Sequence, residues 1–109
     1  MKKILIYEVT SNGYKMIESG CDKVDISEIV TKICIFADKI TCVMQSPTSN
    51  LKIYTGEYWL SYDNVSKDHG SKAIDQIIDF IDDTASPHET LYLVNNISDG
   101  SILNIETRL

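Results

Sequence analysis

A chain of 109 residues with 43% hydrophobic and 24% charged residues has the size and make-up of one globular domain, residues 1–109, and is too apolar to stay disordered. Its formal net charge of -6 argues against unaided binding to nucleic acid or to an anionic membrane surface and favours a basic partner. Cys21, Cys34 and Cys42 are odd in number and lack CxxC spacing, so neither a disulfide framework nor a zinc site is expected, and reduced thiols in a cytoplasmic protein are.

The first stretch, MKKILIYEV, carries two lysines before a short apolar run, but Glu8 interrupts it and no small-residue cleavage site follows. Nor does any apolar segment approach the ~20 residues that span a bilayer. Lys3 to Thr10 is rich in β-formers, Asn12-Gly13 is a strong two-residue hairpin signal, and Tyr14 to Ser19 reads as the returning strand. Ile4, Leu5 and Ile6 are apolar on both faces, which suits a strand inside a sheet.

Asp25 with Glu28 three residues on forms a capping-box pattern, which predicts a helix over residues 25–40. On a helical wheel Ile26, Ile29, Val30, Ile33, Cys34, Phe36, Ala37 and Ile40 share one arc, and only Ile35 is misplaced. The competing reading is a hairpin, KICIF-ADK-ITCVM, because β-branched residues dominate. On the helical reading Cys34 and Cys42 are expected to be buried, and Cys21 to be the accessible thiol.

Ile40 to Ser46 reads as a strand, 47–50 as a turn, and LKIYT-GE-YWLSY as a second hairpin, with Gly56 suited to the first position of a type II′ turn. Pairing about Gly56-Glu57 puts Leu51, Ile53, Leu60 and Tyr62 on one face and Lys52, Tyr54, Trp59 and Ser61 on the other. Tyr54 and Trp59 then lie opposite each other, either as an outward interface anchor or as packing under a second layer.

Ser71 to Ala85 predicts an amphipathic helix, N-capped by Ser71 and stopped ahead of Pro87. Ala73, Ile74, Ile77, Ile78, Phe80 and Ile81 share its apolar half, while Asp75, Asp79, Asp82 and Asp83 occupy the other. Folding has no need of those aspartates, since Asp is a mediocre helix former and negative charge at a helix C-terminus is unfavourable. They serve either solubility or a basic partner. After Pro87, TLYLVNNI and SILNIETR flank Asp99-Gly100 as a third hairpin, with a type I′ turn.

The expected order is therefore ββ-α-βββ-α-ββ. That is an α+β domain with a mostly antiparallel sheet of about seven strands, three hairpins and two amphipathic helices.

No sequence signature of catalysis accompanies this layout. His69 and His88 sit in predicted loops beside Asp68 and Glu89, but without a nucleophile elbow, phosphate loop or HExxH motif they read as solvated residues. The aspartates of one helix face converge poorly on a metal ion. No enzyme activity, cofactor or metal is expected.

In general character, the compact acidic domain with a carboxylate face at Asp75, Asp79, Asp82 and Asp83, with Tyr54 and Trp59 exposed, resembles small bacterial immunity proteins. These neutralise polymorphic nuclease toxins, including those of contact-dependent inhibition. The resemblance implies a non-catalytic inhibitor that binds a basic toxin domain, its aspartates standing in for substrate phosphates. The alternatives are a phage-encoded inhibitor of a host defence nuclease and a small-ligand-binding or sensor domain.

Overall fold

A computed structural model describes residues 1–21, 25–82 and 89–104. In chain order the elements are β1 (Lys3–Val9), α1 (Ser11–Glu18), β2 (Ile29–Phe36), β3 (Cys42–Ser46), β4 (Ser49–Tyr54), β5 (Trp59–Ser61), α2 (Lys67–Ile81), β6 (Thr90–Asn96) and β7 (Ile102–Asn104). Short 3-10 turns, Ile26–Glu28 and Ala37–Lys39, flank β2. The strands form a four-stranded sheet of order β2-β1-β6-β7 and a three-stranded sheet of order β3-β4-β5. Every pairing is antiparallel except β1 with β6, so the α+β class and the mostly antiparallel character hold while the order of elements differs.

β1 lies between β2 and β6, as its two apolar faces require. Its even positions Ile4 and Ile6 join Leu91, Leu93 and Ile35 in the main core, where Leu51 and Ile53 of β4 and Ala73, Ile77 and Phe80 of α2 meet them. The opposite face of the same sheet presents Val9 and Val94 to Tyr14 and Ile17 of α1. The four-stranded sheet is thus covered by α1 on one side and by the smaller sheet with α2 on the other.

Two predicted units fold differently. Asn12-Gly13 is not a hairpin turn but part of α1. Thr10 caps that helix by accepting the Gly13 N–H at 3.1 Å, and its own hydroxyl donates to Glu28, which also accepts from Asn12 Nδ2 at 3.1 Å. A Cβ on Gly13 would come within 2.8 Å of Glu28 Cβ, so glycine is there for a close approach and not for a left-handed turn. The predicted helix over 25–40 is β2 with its flanking 3-10 turns. The residue misplaced on the helical wheel, Ile35, is the one fully in the core at 3% exposure, because strand alternation and not helical periodicity governs the segment. The ADK turn does join two strands, but β2 and β3 belong to different sheets and do not pair.

The other two hairpins form, the second of them with a different turn and register from those expected. Gly56 has φ +90° and Glu57 does not have positive φ, as a type II′ turn requires, and Leu51, Ile53, Leu60 and Tyr62 face the core. β6 and β7 pair with a register centred on Ser98-Asp99, not on Asp99-Gly100: the Asn96 N–H donates to the Ser101 carbonyl across a four-residue loop, and Asp99 lacks the positive φ of a type I′ turn. Gly100, at φ +76°, instead lies against the Asn64 carbonyl, which a Cβ would meet at 1.8 Å. Among the described residues no helix is long and apolar enough to cross a membrane.

Candidate functional site

Helix α2 begins five residues ahead of the predicted start. Ser66, not Ser71, is its N-cap and accepts the His69 N–H at 3.3 Å. Gly70 ends the stretch Asp63 to Gly70, which by sequence reads as a polar loop leading into the helix, yet it lies inside α2, where the Asn50 carbonyl would meet a Cβ at 2.1 Å and so requires glycine. The buried stripe is Gly70, Ala73, Ile77 and Phe80. At the other end Lys2 Nζ donates to the Phe80 carbonyl at 2.5 Å and lies 5.0 Å from the Phe80 ring, placing a cation where the helix dipole favours one.

Asp75, Asp79 and Asp82 are all exposed, with Asp82 as the C-cap whose N–H reaches the Ile78 carbonyl. Asp83, with His88, lies outside the described residues. The carboxylates of Asp75 and Asp79 have no hydrogen bond or ion pair to any described residue. The predicted apolar half needs one correction: Ile78 is 55% exposed and Ile81 is exposed too, so the surface that carries the carboxylates also carries aliphatic area. A wheel fixes angles but not the width of the contact, and the core reaches only Ala73, Ile77 and Phe80 with Ile74 beside them.

The second group lies on the β4–β5 hairpin. Tyr54 is opposite Trp59 in the ladder, with ring centroids 4.6 Å apart and planes at 33°. Lys52 Nζ is 5.9 Å from the Trp59 ring, and the Tyr54 hydroxyl donates to the Gly56 carbonyl at 3.2 Å. Trp59 is 45% exposed, so no second layer covers it. Tyr58 at the hairpin tip is exposed as well and was not singled out from sequence, because it falls outside the paired positions. Leu51 and Ile53 point toward α2 in the shared core, and Tyr54 and Lys52 leave β4 on the opposite side. The acidic and aromatic groups therefore occupy separate surfaces.

Chemistry elsewhere is sparse. His69 is not a free loop residue: it sits in the first turn of α2, its Nδ1 within 3.1 Å of both the N–H and the carbonyl of Ile102. It helps line a cleft of about 390 Å³ with Tyr14, Glu18, Lys72, Gln76 and Ile102, residues from three separate elements that no sequence spacing brings together. Burial keeps the Tyr14 phenol above its ordinary pKa, so it stays protonated there. The Asp99 carboxyl is held below its ordinary value by hydrogen bonds from Ser101, whose N–H donates at 2.9 Å. All three cysteines are exposed, which corrects the expectation for Cys34 and Cys42: both lie on outward faces of their strands. Among the described residues no three His, Cys, Asp or Glu side chains gather as a metal site.

Set beside protein-family models, curated proteins and solved structures, the chain matches none of them.

Proposed function

We propose that this chain is a non-catalytic inhibitor that binds a basic protein, and that α2 is the surface it uses. The carrying observation is Ile78, 55% exposed in company with Asp75, Asp79 and Asp82 on α2. A face kept only for solubility gains nothing from a bare isoleucine, whereas a protein contact combines apolar area with charge. Asp75 and Asp79, not engaged by any described residue, are available to a partner's lysines and arginines at little cost to the fold. The net charge of -6 would speed encounter with a cationic surface. A nucleic-acid-cleaving toxin has such a surface by necessity, since it must hold phosphates, and the reading is therefore of an immunity protein. A phage inhibitor of a defence nuclease would use the same chemistry. The Tyr54–Trp59 pair serves as a second anchor where the partner is large enough to reach it.

The test is co-expression with the product of the neighbouring reading frame in the same operon. Protection of the host and a purified complex are expected, with both lost for Asp75→Lys/Asp79→Lys. A neighbour that neither binds nor is silenced overturns the immunity reading.

A further inference from the structure

β2 is the outer strand of the four-stranded sheet, and among the described residues nothing pairs with its far edge. The β1–β2 ladder determines which backbone groups are left over. The Ala37 N–H donates to the Lys2 carbonyl at 2.9 Å, which makes that a hydrogen-bonded pair; along the β1–β2 register Ile35, Ile33 and Thr31 follow as the next such positions. The N–H and C=O groups of Lys32, Cys34 and Phe36 consequently point away from the sheet. Edge strands are ordinarily blunted by charge, proline or shortness. This one runs for 8 residues, IVTKICIF, with Lys32 its single charge and no proline. Its one irregularity, the register shift that leaves Val30 unpaired, is at the N-terminal end and leaves Thr31–Phe36 regular.

We infer that this edge binds a second copy of the chain, β2 pairing antiparallel with the partner's β2 about a two-fold axis at Cys34. The occupant follows from the symmetry of the edge. The three outward-facing residues are evenly placed about Cys34, so this register hydrogen-bonds all of them: Cys34 with the partner's Cys34, and Lys32 with the partner's Phe36, twice. Moving the axis to Lys32 would set lysine against lysine, a destabilising cross-strand pair. At Cys34 each lysine instead lies against Phe36, a ring that is 47% exposed in the single chain. The bulge at Val30 falls outside the paired length. A cleft of about 200 Å³ lies beside Cys34–Phe36, walled by Lys39 and by Thr55, Glu57 and Tyr58 of the hairpin tip. The product is a continuous eight-stranded sheet, and the acidic surface of α2 takes no part in it.

The chain carries its own reporter. Cα atoms of a hydrogen-bonded antiparallel pair are about 5.5 Å apart, with the Cβ atoms at the wide end of the ~4.5–5.5 Å cross-strand range, beyond an unstrained disulfide but within reach of a short thiol-to-thiol cross-linker. Light scattering of the purified protein should give twice the chain mass. A short bis-maleimide cross-linker should convert most of a Cys21→Ser/Cys42→Ser variant to a covalent dimer. Cys34→Pro removes an N–H that β1 does not use, and it should yield a monomer with a cooperative melt, while Cys34→Ser remains dimeric. Should the proline variant fail to fold, Phe36→Lys provides the second arm, since it places lysine against lysine and should also give a monomer. A wild-type chain that stays monomeric as concentration rises overturns the inference and leaves the edge to an extended segment of another protein. A dimer that Phe36→Lys or Cys34→Pro leaves intact, or that does not cross-link through Cys34, overturns it equally.

Discussion

Both helices bury apolar side chains, but their polar side chains are used differently. α2 has 15 residues and is fixed by its apolar stripe, with Ala73, Ile77 and Phe80 each at or below 1% exposure. α1 has 8 residues, too few to be stable alone, and spends its polar side chains on being held: Thr10 caps it, and Thr10 and Asn12 both bond Glu28 from the far side of the chain. The difference shows where function can reside. Polar groups committed to structure cannot be changed freely, whereas the outward carboxylates of α2 are surplus to folding.

That contrast breaks first if the apolar stripe proves dispensable. Phe80→Ala should cost about 3–5 kcal/mol in a denaturant titration, the largest effect expected, because it opens a cavity at the centre of the main core. A loss near that of a surface substitution would mean α2 is held by something else. Next comes α1: Glu28→Ala should cost about 1–3 kcal/mol, since two donors lose their acceptor. An unchanged melt would remove the claim that polar contacts hold this helix.

A smaller effect appears only in alkali. Burial holds the Tyr62 phenol far above its ordinary pKa, with Glu8 adding to the shift, and its hydroxyl has no described hydrogen-bond partner. The folded state keeps a proton that the unfolded state gives up, so stability is at its full value below ~10 and falls as pH climbs beyond it. Tyr62→Phe should flatten that alkaline loss and leave neutral-pH stability nearly unchanged; a wild-type melt that is level across this range would contradict the assignment.

How much of this was legible in sequence depended on whether the deciding contact was local. The Tyr54–Trp59 pairing and the turn at Gly56 were readable because strand, turn and strand are contiguous. Gly13 and Gly70 were misread as punctuation because the atoms that require glycine, Glu28 Cβ and the Asn50 carbonyl, lie 15 and 20 residues away. The segment 25–40 satisfied a helical wheel by accident of composition: when most residues are apolar, nearly any period fits, and only the dissent of Ile35 marked the strand. The acidic face of α2 was legible in its charges. That Ile78 shares it was not, because the width of the core contact is a tertiary fact.

The smallest expected change in stability accompanies the largest in binding. Asp75→Lys/Asp79→Lys should alter the melt by no more than about 0.5 kcal/mol. The decisive measurement is therefore the affinity of wild type and this variant for the neighbouring gene's product across a salt series, with a melting curve for each. Wild-type affinity should fall steeply with salt, the variant should bind more weakly by several kcal/mol with a flatter or inverted salt dependence, and the melts should overlap. Equal affinity and equal salt dependence would contradict the proposed contact, and would reduce the carboxylate face of α2 to a solvated surface.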